Sequence, residues 1–339
     1  MAEDLSGQAP GGKRTVLTEV LPLQTPFVVQ LFPIYACNFR CNYCIFQLPN
    51  KERGFISDKV VMDFDLYKKF IDEFALFPDK IKVLRFVGIG EPLLHPRIAD
   101  MVAYAVDKQV AHSVEMLTNG SLLTPIMSNA LIDAGLSRLV VSLQGVSARK
   151  YKEICGVDVQ FDRLRANLQY FFLHKSDSTH MYCKVVDTAL DGDSDNRRFH
   201  SLFGGICDSL AIEHTVPIHS GVEYGDVIKH TGEQLTQFGL PVSEVKVCPQ
   251  PFFHMQINPD GKVVPCYSFE YPNIMGDCNT QTVQDIWSGE RFNAFRRTML
   301  DGKLGACAIC KECSIITYRM FPEDMIGEAD AERLKKVYG

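Results

Sequence analysis

Between about residues 25 and 216, apolar runs of strand length alternate with stretches of helical period, and this alternation limits the fold more than any other feature of the chain. "PFVVQLFPI" (26–34) is nearly all apolar, as a strand buried on both faces should be. "FDLYKKFIDEFALF" (64–77) puts Leu66, Phe70, Phe74 and Phe77 on one helical face. Strands are expected at 81–88, 112–118, 137–144, 180–188 and 209–216. Between them lie helices at 96–108, from Thr124 (N-cap) and Pro125 to Gly135, at 161–175 and at 195–207. Six strands joined by helical crossovers mean a parallel α/β sheet, either doubly wound or a partial (β/α)6 barrel.

The rest of the 339-residue chain divides around this unit. Residues 1–24 are polar and read as a disordered tail, 217–247 as a linker, 248–320 as a small second domain, and 321–339 as a C-terminal helix or tail. "FFHMQINPDGKVVPC" reads as two short strands with Asp260-Gly261 at the turn. The net charge of −6 gives no basic footprint and argues against nucleic acid as a partner. No apolar run approaches the roughly 20 residues of a membrane span, and the N-terminus lacks an apolar signal core. The expected location is cytoplasmic. There, twelve cysteines point to metal ligation or redox chemistry, because thiols are kept reduced.

Four polar or glycine-rich clusters follow successive strands: "YACNFRCNYC" (35–44), "GIGEP" (88–92), "TNG" (118–120) and "SLQG" (142–145). Strand C-termini form the active edge of parallel β/α folds, so the four share one rim. Cys37, Cys41 and Cys44, spaced C-x3-C-x2-C, suit zinc poorly, because structural zinc sites are closed and four-coordinate. Three thiolates can instead hold three irons of a [4Fe–4S] cube and leave the fourth open.

The triplet, with Tyr43 before its last cysteine, resembles the signature of the radical S-adenosylmethionine (SAM) superfamily. Gly90-Glu91-Pro92 resembles that family's GGEP motif, with Ile89 in place of one glycine and Gly88 upstream. The resemblance implies a partial (β/α)6 TIM-like barrel, SAM chelating the open iron, and reductive release of a 5′-deoxyadenosyl radical. It assigns Gly88, Gly90 and Glu91 to the methionine amine and Tyr43 to the adenine edge. Asn119 and Ser142 become candidates for the methionine carboxylate and the ribose. It further implies a low-potential electron donor such as flavodoxin or ferredoxin.

A second cysteine group comprises Cys248, Cys266, Cys310 and Cys313, with Cys307 and Cys278 nearby. Spacing alone allows either a four-thiolate zinc ion or a second cluster. "MGDCNTQTVQDIWSGERFNAFRRTM" and "CAICKEC" resemble the SPASM/twitch extension of radical SAM enzymes. The match is to its shorter twitch form, with one auxiliary [4Fe–4S] cluster, and within it to aminocyclitol dehydrogenases. That resemblance makes Cys248, Cys266, Cys310 and Cys313 the ligands; Cys307 either competes with Cys310 for a ligand place or is a partly exposed spare thiol.

These features suggest oxidation of a carbinol carbon in a sugar, nucleotide sugar or aminocyclitol, with the auxiliary cluster taking an electron. An epimerase would instead need a hydrogen-donating thiol, for which Cys183 and Cys278 are candidates; as the bland alternative, Cys183 is a small buried hydrophobe. A peptide-modifying enzyme is a third reading, which the short polar stretch before the first strand counts against. A zinc-binding scaffold is the non-enzymatic alternative. Lys184, Asp187, Gln144, Glu213 and His214 are candidates for substrate contacts or the base. Alternation puts Lys184 and Asp187 on opposite strand faces and leaves open which face is interior.

Overall fold

The computed structural model describes residues 1–8, 10, 14–55, 58–225, 227–228, 234–267 and 271–338. Its strands are β1 (Glu3–Asp4), β2 (Val28–Leu31), β3 (Ile81–Phe86), β4 (Ala111–Thr118), β5 (Arg138–Leu143), β6 (His180–Val186), β7 (Ser209–Glu213), β8 (His254–Ile257), β9 (Lys262–Val264) and β10 (Gly276–Asp277). They form one sheet in the order β1-β7-β6-β5-β4-β3-β2-β8-β9-β10. From β2 to β7 all neighbours are parallel and sequential. A doubly wound sheet reverses its strand order at a switch point and this one does not, so the partial barrel is the architecture present.

The helices form where the caps and apolar periods place them. Asp63 caps Phe64–Glu73 by accepting from the Asp65 and Leu66 amides, and Thr124 caps Pro125–Asp133 by accepting from Met127. Leu66, Phe70, Phe74 and Phe77 are all buried, as are Ile98, Met101, Val102 and Ala105 on Ile98–Asp107. A helix over Ala148–Cys155, capped by Ser147, occupies a stretch that the apolar pattern leaves unassigned.

One expectation about organisation is corrected and one is extended. The described parts of residues 1–24 are tied down: β1 pairs in parallel with β7, Leu17 is buried, and the Leu23 carbonyl accepts from the Trp287 indole N–H at 3.1 Å. The C-terminal domain shares the barrel's sheet, since β8 pairs in parallel with β2 and carries β9 and β10 into it. Both changes have one cause. An open barrel has two edges with unpaired backbone groups, and β1 and β8 cover them. The stretch read as a linker also packs: Gln237 bonds Glu213 and Arg319, and Leu235 bridges to Pro241. The helix Glu328–Tyr338 closes the chain against Glu290–Leu300, where Arg297 donates to the Tyr338 carbonyl.

Strand alternation separates two environments. Val29, Leu31, Leu84, Phe86, Met116, Leu139, Val141, Met181, Cys183 and Val185 are buried in the layer between sheet and helices. The opposite face lines the lumen, and polar residues in register cross it in one row. Gln256 on β8 pairs with Gln30, Gln30 with Arg85, Arg85 with Glu115, Glu115 with Arg138, and Arg138 with His180.

Candidate active site

The loop bearing the triplet leaves β2 and is pinned from two sides. Arg40 and Asn42 amides donate to the Cys155 and Ile154 carbonyls at the end of Ala148–Cys155, at 3.0 and 2.9 Å. The Glu91 amide donates to the Ala36 carbonyl at 2.8 Å. Gly88 and Gly90 allow that approach. Both have positive φ (133° and 145°), and a Cβ at Gly90 would sit 2.3 Å from the Ile34 carbonyl oxygen, while one at Gly88 would meet the Phe32 ring. Ile89 points into the apolar packing beneath and is buried.

Glu91 is almost fully buried, and its carboxylate joins two loops of the rim. Oε1 accepts from the Leu93 amide at 3.0 Å and the Thr118 hydroxyl at 2.6 Å, and Oε2 accepts from the Asn119 amide at 2.7 Å. Burial raises its pKa against the pull of these three donors. Asn119 donates to Asn38 Oδ1 at 2.9 Å, tying β4 back to the cysteine loop. Tyr43 donates its phenol proton to Gln144, whose amide reaches Ser142.

These groups face one cavity of about 210 Å³ at the strand C-termini. Cys37, Cys41, Cys44, Tyr43, Gly88, Gly90, Glu91, Asn119, Ser142, Gln144, Lys184 and His214 all contribute to its wall. Burial pushes the Cys37 and Cys44 thiols up to about 12, so as thiolates they require a bound cation. Cys41 is raised chiefly by a hydrogen bond with Cys155 and then by burial. Three thiols, Cys41 buried and Cys37 and Cys44 half-buried, on the wall of an open cavity fit a [4Fe–4S] cluster with one accessible iron.

Deeper in the lumen the row of polar residues is cross-linked. Arg85 donates two bonds to Glu115, at 2.9 and 2.7 Å. Lys184 donates to Glu213 at 2.5 Å, as do Gln237 at 2.7 Å and Tyr182 at 3.1 Å, and Arg319 donates to Gln237 at 2.7 Å. Lys184 therefore faces the interior. Asp187 turns away to receive His214 Nδ1 at 2.9 Å and the Thr215 amide at 2.9 Å. Burial alone would raise the Asp187 carboxyl; these bonds and the His214 charge hold it below the usual range.

Cys183 and Cys278 are not brought to this cavity, which corrects their candidacy as hydrogen donors. Cys183 faces the helices, fully buried beside Cys207, and Cys278 is buried under the β9–β10 edge. Cys183 alternates with Lys184, so one strand cannot aim both inward. Sequence reasoning missed Gln30, Arg85, Glu115 and Arg138. Only Gln30 stands as a lone polar residue in its strand; β3, β4 and β5 carry other polar residues besides Arg85, Glu115 and Arg138, so the sequence marked none of these three out.

The second cysteine group lines a separate cavity walled by Cys248, Cys266, Cys310, Cys313, Phe295, Met299 and Ile316. Burial raises Cys248 to about 12 and lifts Cys266 further, helped by the neighbouring thiols. Four thiols in an apolar pocket suit a closed cluster. Cys307 caps the helix Ala308–Glu312, its sulfur accepting from the Cys310 amide at 3.3 Å. Tyr267 belongs to the walls of both cavities.

A parallel barrel with a three-thiol rim and a four-thiol annex defines a radical SAM protein. Family models agree: residues 31–199 match the radical SAM superfamily and 248–314 the SPASM iron–sulfur cluster-binding domain. The chain belongs to that superfamily and carries a SPASM extension, so its cofactors are a [4Fe–4S] cluster with SAM and auxiliary iron–sulfur chemistry. It is 24% identical over 309 residues to the tungsten-containing aldehyde ferredoxin oxidoreductase cofactor-modifying protein of Pyrococcus furiosus, covering 81% of this chain and 84% of that one. It is 34% identical over 120 residues to the GTP 3′,8-cyclase of Trichormus variabilis, spanning 35% of either chain. Among solved structures, BtrN in complex with AdoMet and 2-DOIA superposes with a TM-score of 0.53 at 18% identity, covering 87% of this chain and 95% of that one. Streptococcus suis SuiB bound to S-adenosylmethionine gives 0.62 at 12%, covering 93% and 79%. At these identities the structural likeness establishes the fold. Among the described residues no helix is long and apolar enough to cross a membrane.

Proposed function

We propose that this protein is a radical SAM dehydrogenase that oxidises a carbinol carbon of a sugar, nucleotide sugar or aminocyclitol to a ketone. Cys37, Cys41 and Cys44 would hold the SAM-binding cluster, which supplies the 5′-deoxyadenosyl radical when reduced, and Cys248, Cys266, Cys310 and Cys313 would hold the auxiliary cluster. Gly88, Gly90 and Glu91 seat the methionine amine, Tyr43 the adenine, and Asn119 and Ser142 the carboxylate and ribose. Lys184, tied to Glu213, hydrogen-bonds the substrate. His214, held through Nδ1 by Asp187, takes the hydroxyl proton, so Asp187 acts through His214. His214 would accept the hydroxyl proton, while the bound SAM would supply the acceptor for one hydrogen atom and the auxiliary cluster held by Cys248, Cys266, Cys310 and Cys313 the acceptor for the second electron.

The observation that supports this reading is Tyr267, which lines both the rim cavity and the cavity of the second cysteine group. The epimerase alternative is disfavoured because, among the described residues, the thiols of the main cavity are the rim trio alone. The test is anaerobic reconstitution to about eight irons per chain, then dithionite, SAM and a panel of sugars and aminocyclitols. One 5′-deoxyadenosine per ketone is expected. Solvent deuterium at an inverted carbon without ketone, or SAM cleavage coupled only to a peptide, would replace the proposal.

A further inference from the structure

The lumen beneath the SAM cavity forms a chamber of about 400 Å³, and its charges do not balance. Arg14 pairs with Asp324 at 2.6 Å, Arg85 with Glu115 at 2.7 Å and Lys184 with Glu213 at 2.5 Å. That uses every carboxylate on the chamber wall among the described residues. Among the described residues Arg138 has no carboxylate oxygen within 4 Å; its guanidinium lies 5.3 Å from the Tyr182 ring centroid, Glu115 and Glu213 act on it only at longer range, and its Nε is buried with no hydrogen-bond partner. Arg319 spends its Nε on the neutral Gln237 amide.

Other polar groups on the same wall are also unspent. Gln30 Oε1 has no partner although the residue is only 8% exposed, and neither ring nitrogen of His254 has one although it is 3% exposed. A buried polar group left unpaired costs about 1–3 kcal/mol. Several facing one chamber amount to a site built for a complementary ligand. Burial and the Arg85 charge hold His254 neutral down to about pH 3, so it offers one donor and one acceptor. Gln30 Oε1 asks for a donor such as a hydroxyl, and Arg138 for an anion.

We infer that the substrate is an anionic polyol bound in this chamber, with its phosphate or carboxylate on Arg138 and its hydroxyls on Gln30 and His254. The inference rests on the reading of the substrate as a hydroxylated ring and narrows it, because a cationic aminocyclitol would meet an already positive wall.

The test is calorimetric titration of the anaerobically reconstituted full-length protein with glucose, gluconate, glucose 6-phosphate and inorganic phosphate. At least one anionic sugar should bind about tenfold or more tightly than glucose, a difference of about 1.4 kcal/mol. Gluconate against glucose 6-phosphate tells carboxylate from phosphate. Arg138→Gln should erase the preference, and Arg138→Lys, which keeps the charge, should retain it, separating charge recognition from misfolding. Equal binding of glucose and the anions, no binding by any anion, or a preference that survives Arg138→Gln would overturn the inference. Binding is read without turnover, so this result and the ketone assay stand or fall separately.

Discussion

Lys184 Nζ lies 2.5 Å from Glu213 Oε2 inside the barrel, with the Glu213 side chain only 3% exposed. Removing one member strands the other's charge in a poorly solvated lumen. Lys184→Met should cost about 3–5 kcal/mol, read as a drop in the urea midpoint at unchanged slope. The double variant Lys184→Met/Glu213→Gln should recover part of that loss, since the stranded charge goes with it.

Gly90 is where the rim loops touch. A methyl group there meets the Ile34 and Ala36 carbonyl oxygens at 2.3 and 2.9 Å on a backbone of φ 145°. Gly90→Ala should push the cysteine loop outward and cut 5′-deoxyadenosine formation by about 100-fold, the usual scale for a misplacement of about 1 Å. SAM affinity, read by equilibrium dialysis, should weaken alongside.

Cys307 and Cys310 are three residues apart and should behave differently. Cys310→Ala should lower iron from about eight to about four per chain and uncouple SAM cleavage from ketone formation. Cys307→Ala removes a sulfur cap on a short helix, and should leave iron content unchanged at a stability cost of about 1 kcal/mol or less.

Cys183 faces the helices, so Cys183→Ala should leave product formation and solvent-deuterium incorporation as in the parent protein. Loss of turnover with normal iron content would return the thiol-donor reading to contention.

His254 and His219 are both held neutral by burial, with pKa values pushed down to about 3. Each is depressed on folding, so its contribution is complete above the unfolded value of about 6.5 and is lost as pH falls toward 3. Stability should therefore fall below about pH 6.5 by roughly 1.4 kcal/mol per pH unit for each ring. His254→Phe should remove about half of that slope in urea melts.

Much of this was legible in linear order. The strands from Val28 to Glu213 were marked by apolar runs, and the rim by glycines and cysteines that must follow strand ends in any parallel sheet. The row Gln30–Arg85–Glu115–Arg138 was not. Polar residues also occur elsewhere in β3, β4 and β5, and only the register sets these four side by side. The docking of β1 and β8 was hidden for a related reason: an edge strand is recruited by unpaired backbone groups of a distant strand, which leave no mark in its own side chains.

The amino-acid order by itself determined the ligand inventory, three thiols on one loop and a second group of thiols toward the C-terminus, while spacing left zinc and a second cluster both open for that second group. Tertiary structure decided which face of β6 looks inward, that Cys183 is excluded, and that two distant cysteine groups share Tyr267 as a wall. The physical reason is that ligand type is a local covalent property, whereas direction, proximity and charge balance exist only once strands are in register and side chains compete for the same buried space.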